Sequence, residues 1–234
     1  MARVSDGRVQ QLAANLAAFE ARLMAACAAA ERPRSEITVV AVTKTFPASD
    51  VAALVTLGVG DFGENRDGEA RAKAAAIPGV RWHFVGRLQR NKCRSVATYA
   101  DAVHSVDRIE VADALAHGAA RAGRLVDVLV QASLDGDPAR GGALPADIPG
   151  IAEACARAEC LRLSGLMAVA PMDADPDAAF ARLAEMAAAL VADHPRADAI
   201  SAGMSGDLEP AVRHGATHVR VGTALLGGRT PRGR

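Results

Sequence analysis

Aromatic side chains are scarce in this chain, at 3%, with one tryptophan, one tyrosine and five phenylalanines among 234 residues. Such a composition leaves no set of stacking platforms for nucleic acid, and the interior has to be built from Ala, Val and Leu. An excess of either charge is missing too: 27 Lys plus Arg balance 27 Asp plus Glu, with both signs scattered along the sequence. Without a basic stripe there is nothing to neutralise a nucleic-acid backbone, so any phosphate site must be local. The segment Met1-Ala-Arg-Val-Ser-Asp-Gly-Arg8 has no apolar h-region, and no later stretch approaches the roughly 18 to 20 apolar residues that a bilayer demands. The expectation is a cytoplasmic protein with no membrane partner. Cysteine pairing is absent as well. Cys27, Cys93, Cys155 and Cys160 form no CxxC and have no histidine at metal-ligand spacing, which makes them reduced packing residues. No Ser/Gly-rich or charge-run linker interrupts the chain, so residues 1–234 read as one domain.

Lysine is rarer still, at three residues, and Lys44 stands at the end of the apolar run Ile37-Thr-Val-Val-Ala-Val-Thr43. A continuous β-branched run reads as a buried parallel strand, whose carboxyl end opens into the mouth of an α/β fold. Burial there lowers an ammonium's pKa and frees the amine as a nucleophile or Schiff-base partner. A lysine that caps the strand and snorkels to water fits the local pattern equally well.

Helical and strand patterns alternate from end to end. Ser5 and Asp6 cap a first helix with Val9, Leu12, Leu16, Phe19 and Leu23 at helical spacing, ending before Pro33. Eight strand candidates follow: Ile37–Thr43, Val59–Gly63, Arg81–Val85, Ala102–Ser105, Val126–Ser133, Arg162–Val169, Ala199–Ala202 and His218–Val221. Helices are expected at Ser49–Leu57, Arg66–Ala76, Asn91–Tyr99, Arg108–Ala122, Ile148–Ala158, Asp177–Asp193 and Ser205–His214. This is the element count of an α/β (β/α)8 TIM barrel with an extra N-terminal helix. An open doubly wound sheet is disfavoured because no GxGxxG follows the first strand.

Barrel chemistry sits at the carboxyl ends of the strands. Strand one delivers Lys44 there, and strand two ends in Phe62-Gly-Glu-Asn65, where Asn65 offers both a donor and an acceptor. Strand seven exits through Gly203-Met-Ser205, with Ser205 expected at a helix start, and strand eight through Arg220-Val-Gly222-Thr223. Two adjacent loops with backbone N–H groups and a hydroxyl apiece are a recipe for one phosphate. Singly, Ser205 could be only an N-cap and Gly222 only a turn residue. A phosphate anchor opposite an imine-forming amine describes pyridoxal 5′-phosphate (PLP).

The chain resembles the pyridoxal phosphate homeostasis protein family, also called the proline synthase co-transcribed homologues. The landmarks run in order as Ala41-Val-Thr-Lys44-Thr, Phe62-Gly-Glu-Asn65, Trp82-His-Phe-Val-Gly86 with Leu88-Gln89 and Asn91-Lys92, His104-Ser-Val-Asp-Arg108, Ser164-Gly-Leu-Met167, Gly203-Met-Ser205, and Val219-Arg220-Val-Gly222-Thr223. The resemblance implies a barrel like the amino-terminal domain of alanine racemase, with PLP held as an internal aldimine on Lys44. It further implies Asn65 beside the cofactor ring, Ser205, Gly222 and Thr223 at its phosphate, and Arg220 facing the pyridine nitrogen. Arginine stays protonated, so it keeps that nitrogen unprotonated and the ring a weak electron sink. Departures are Arg66 in place of a tyrosine, Arg90 within Leu88-Gln-Arg-Asn-Lys92, Ala202 before Gly203, and Arg140 where relatives carry a lysine.

Three functions fit these residues. The family implies a non-catalytic PLP holder in vitamin B6 homeostasis that serves PLP-dependent apoenzymes. The alternative is a PLP-dependent amino acid racemase, which needs a base on each face of Cα. Tyr99, the single tyrosine, is predicted at the far end of a helix, and His83 and His104 read as second-base candidates or as structural groups. A cofactor-free Schiff-base aldolase using Lys44 is the third. Without a long heptad or exposed aromatic patch, a monomer is expected, with a weak dimer through the first helix as the alternative.

Overall fold

A computed structural model describes residues 4–137 and 139–228. Ser5 caps helix α1 (Asp6–Ala29) by accepting the Arg8 N–H at 3.3 Å. Strands and helices then alternate as β1 (Thr38–Val42), α2 (Ala48–Thr56), β2 (Asp61–Glu64), α3 (Asp67–Ala76), β3 (Arg81–Phe84) and a 3-10 turn (Arg90–Lys92) running into α4 (Cys93–Val96). They continue as β4 (Ala102–Val106), α5 (Ile109–Ala122), β5 (Val126–Gln131), α6 (Ile148–Arg157), β6 (Leu161–Met167), α7 (Pro176–Asp193), β7 (Ala199–Ser201), α8 (Leu208–Arg213), β8 (His218–Val221) and α9 (Thr223–Leu226). Consecutive strands pair in parallel, and β1 closes the barrel on β8 through Thr38↔His218 to Ala41↔Val221. The expected (β/α)8 barrel with an extra N-terminal helix is the fold.

Boundaries move where local turns compete with the ladder. Val59 and Gly60 leave the second strand because the Val59 N–H closes the end of α2 on Leu54 O, with Gly58 at φ 90°. Glu64 instead extends that strand by pairing with Phe84. The helix expected at Asn91–Tyr99 shrinks to the 3-10 turn and one turn of α4. Ser205 does not begin a helix: it lies in the turn before α8, whose N-cap is Asp207.

The apolar core lies between the strands and the helices. Phe62 and Trp82 meet there with ring centroids 5.8 Å apart, packed among buried Val, Leu and Ala. Helix α1 lays Leu12, Phe19 and Leu23 into this layer. Among the described residues it is the one helix long and apolar enough in composition to cross a bilayer, against the expectation that no stretch is. Its alanines raise the mean hydropathy, but its polar side chains bond the barrel. Arg8 donates to Asp50 and to Leu226 O, Asn15 to Leu225 O, and Arg22 to Glu209 and Ser205 O. The barrel interior, by contrast, also carries polar side chains: His83, His104, Ser201 and Arg220 are all buried, alongside Val40 and Val42.

Candidate functional site

Register gathers the candidate residues on one rim. Strand β1 pairs Val42 with Gly63 of β2 and Ala41 with Val221 of β8, while β7 meets β8 at Ser201↔His218. Lys44 and Asn65 therefore each stand two residues beyond a matched pair, and Gly222 and Thr223 lie just past the next strand. The Arg220 N–H donates to Gly203 O at 2.9 Å, which ties the Ser205 turn to β8.

Lys44 is half-buried in the turn after β1, and its backbone is clamped on both sides. On one side, Thr43 Oγ1 donates to Glu64 Oε1 at 2.6 Å, while Lys73 Nζ donates to Thr43 O at 2.7 Å and to Glu64 Oε1 at 2.5 Å. Glu64 and Lys73 are both buried, so their charges neutralise each other where water cannot. On the other side Thr45 adopts φ 71°, an outlier for a β-branched residue, with its N–H held by Glu69 Oε2 at 3.0 Å. Asn65 is fixed from behind: a Cβ on Gly86 would lie 2.3 Å from Asn65 O, so only glycine permits this approach. The Asn65 Oδ1 is buried with no hydrogen-bond partner among the described residues.

Arg220 donates through Nη1 to Ser201 Oγ at 2.6 Å and through Nη2 to Ala168 O at 2.8 Å. No carboxylate lies within ion-pair distance of it among the described residues. Burial pulls its pKa down to about 10, against the pull of Asp207, so it remains cationic at neutral pH. Beside it, the amides of Ser205, Gly206, Gly222, Thr223 and Ala224 donate to no protein group among the described residues. Helices α8 and α9 are one to two turns long, so these individual donors, not a macrodipole, make the anion-binding potential. A Cβ on Gly222 would come within 3.3 Å of Val42 O, which keeps this turn close to β1.

The family model for the alanine racemase N-terminal domain matches residues 14–230. The pyridoxal phosphate homeostasis protein of Mycobacterium tuberculosis strain H37Rv is 45% identical over 95% of this chain and 94% of its own. The chain belongs to the pyridoxal phosphate homeostasis protein family. PipY of Synechococcus elongatus PCC7942, solved with PLP bound, superposes with a TM-score of 0.80 at 33% identity, covering 92% of this chain and 100% of that one. Alanine racemase from Streptomyces coelicolor A3(2) shares the fold at 24% identity and TM-score 0.72, over 93% of this chain and 58% of the enzyme.

Within the homeostasis family pattern, the departures have visible consequences. Arg66 is exposed, 3.6 Å from the Glu69 that also holds Thr45. Arg140 is spent on structure, donating to Val169 O and Ala170 O and pairing with Asp135 at 3.0 Å. Arg90 is exposed in the 3-10 turn, and Ala202 is buried. Tyr99 lies in the outer layer near Arg71, Ala74 and Trp82, and burial pushes its phenol upward in pKa. His104 lies in the middle of the interior strand β4, and both its nitrogens are engaged, by His83 and Ser201. Glu64, Lys73, Glu69 and Arg22 escaped the sequence reading as functional supports. The available signal was Ala70 and Lys73 spaced three apart on the buried face of α3, with lysine so rare elsewhere.

Proposed function

We propose that this chain is a non-catalytic PLP-holding protein of vitamin B6 homeostasis, with Lys44 as its covalent anchor. The observation that carries the reading is the meeting, on four adjacent strand ends, of a clamped lysine and, among the described residues, a buried and unpartnered amide oxygen, a buried arginine without a carboxylate, and two loops of idle N–H donors. These groups fit PLP in charge and kind: Ser205, Gly222 and Thr223 would hold the phosphate, Asn65 would lie beside the ring, and Arg220 would face its nitrogen. When bound, the group supplies an aldehyde that condenses reversibly with a primary amine. The Thr43–Glu64–Lys73 clamp orients the residue that offers that amine. Arg220 has only donors and stays charged, so it withholds a proton from whatever nitrogen it faces. That favours keeping the cofactor over driving carbanion chemistry.

The same geometry weighs against a racemase. His104 is locked between two partners, and burial, joined by the nearby charges, holds its pKa well below the usual range. Tyr99 sits outside the barrel wall. A cytoplasmic monomer that passes PLP to apoenzymes is the corresponding physiological reading, in keeping with its cysteines being free thiols.

The test is an absorption spectrum with PLP, followed by borohydride reduction and mass mapping. The wild type is expected to absorb near the visible edge and to carry one reduced adduct on Lys44, and Lys44→Ala to carry none. An adduct at wild-type stoichiometry in Lys44→Ala would show that another residue is the anchor. Alanine racemisation on the order of 1 per second would overturn the carrier reading.

A further inference from the structure

Barrel interiors are ordinarily filled by branched apolar side chains. Here five strands add to such side chains one unbroken line of hydrogen bonds. Asp61 Oδ1 meets His83 Nε2 at 2.8 Å, His83 Nδ1 meets His104 Nε2 at 2.9 Å, and His104 Nδ1 meets Ser201 Oγ at 2.9 Å. Arg220 Nη1 completes it at 2.6 Å from Ser201 Oγ. Asp61 is the first residue of β2, at the amino-terminal opening, with its side chain 28% exposed. The line therefore crosses the barrel from that opening to the arginine of the candidate site.

Its polarity follows link by link. An ionised carboxylate only accepts, so His83 carries its proton on Nε2. With His83 neutral, its Nδ1 accepts, and His104 must donate from Nε2. A neutral His104 then accepts at Nδ1, so the Ser201 hydroxyl donates to it and turns a lone pair toward Arg220. A guanidinium can only donate, and this is the one orientation in which every member of the chain is satisfied. The Asp61 carboxyl lies below its usual range: burial acts against this, but the hydrogen bond from His83 and the nearby Arg81 outweigh it. The neighbouring Arg81 bonds Asp127 and His218 Nδ1 meets Thr217 Oγ1 at 2.9 Å, so both act on the line through their field and not through a hydrogen bond among the described residues.

We propose that Asp61, His83, His104 and Ser201 are positioning residues that hold the Arg220 guanidinium through a directional hydrogen-bond wire anchored at the opposite end of the barrel. Its effect on ligand rests on the reading of Arg220 as a PLP contact, but the wire itself does not. Buried chains of this kind polarise along their length, so part of the Asp61 charge is felt at an arginine that has no carboxylate of its own among the described residues. Asp61→Asn removes the anchor while conserving shape. An amide can donate to His83 Nε2, which lets both imidazoles invert. His104 then donates to Ser201 from Nδ1, and the serine proton loses its acceptor.

The experiment is nitrogen-15 NMR of the histidines and of the Arg220 guanidinium in ligand-free protein at pH 7.5, for wild type, Asp61→Asn and Ser201→Ala. Wild type is expected to show Nε2-protonated His83 and His104 and slow guanidinium exchange. Asp61→Asn should move the His104 proton to Nδ1 and speed Arg220 exchange roughly tenfold, the scale of one charge-assisted hydrogen bond. Ser201→Ala should free Arg220 equally while His83 keeps its proton on Nε2. A wild-type His104 protonated on Nδ1, or Arg220 exchange unchanged in both variants, would overturn the proposal. PLP titration of the same samples is a separate arm. Affinity is expected to fall roughly tenfold in both variants. Failure of the wild type to bind PLP would sink the functional reading while the ligand-free spectra still judge the wire.

Discussion

The two sides of the barrel mouth are built by opposite means. The lysine side is braced from within: Lys73, Glu64 and Thr43 share one buried polar cluster, and Thr45 is held in a left-handed conformation by Glu69. The anion side is braced from without. Arg22 of α1 donates to Ser205 O at 2.6 Å, and Asn15 and Arg8 reach Leu225 O and Leu226 O of α9. The amides of Ser205, Gly206, Gly222, Thr223 and Ala224 are left idle among the described residues, and Thr223 is exposed. A covalent anchor needs its amine held in one place, and buried charge pairs resist displacement because separating them exposes an uncompensated charge. A phosphate brings its own charge and acceptors, so that side needs only donors held near the right spacing.

Breaking the stronger side should have the larger effect. Lys73→Met leaves the Glu64 carboxylate buried without its partner, and unfolding by urea should show a loss of about 3 to 5 kcal/mol. Adding Glu64→Leu should restore most of it. A single-variant loss under about 1 kcal/mol would mean that the lysine side is no more tightly built than a surface pair.

Acid attacks the floor common to both sides. Burial, reinforced by neighbouring cations, depresses the His218 pKa to about 4 and holds that of His104 well below the usual value. The unfolded chain therefore binds more protons than the folded one below pH 6.5. Stability contributed by these neutral rings is complete above that pH and is lost as pH falls toward 4, by roughly 3 kcal/mol for His218 alone. Asp61 acts in a lower window, since its depressed carboxyl pKa gives stability that is lost only as pH falls below about 4. Urea midpoints at pH 8, 6 and 5 check the sign: a flat profile would mean that these rings are charged or solvated in the fold.

The smallest effects belong to the anion side. Ser205→Ala and Thr223→Val should each weaken PLP binding by about 1 kcal/mol, close to fivefold by equilibrium dialysis, without changing the urea midpoint. Arg22→Ala should weaken it comparably by loosening the Ser205 turn. If either hydroxyl variant instead lowered stability, that side would also be part of the folded framework.

Much of this was legible beforehand, for identifiable reasons. A strand buried on both faces leaves a β-branched run, so β1 and its terminal lysine could be read directly. Alternating periodicities gave the barrel, and β8 matched its predicted bounds because Gly222 ends it with a turn. Ser205 misled, because Ser-Gly-Asp suits an N-cap at either end and only the chain's path selected Asp207. His83 and His104 read from sequence as second-base candidates or structural groups, but nothing local tells that they touch each other or that Asp61 anchors them.

Residue order by itself determined the alternation of elements, the strand ends that share a rim, and the chemical types placed there, because these follow from short-range periodicity and turn chemistry. The tertiary structure alone decided which buried polar groups meet. Glu64 with Lys73, and Asp61 through two histidines and a serine to Arg220, are contacts across elements. Register and barrel closure bring them together, and a buried polar atom's need for a partner makes those meetings specific.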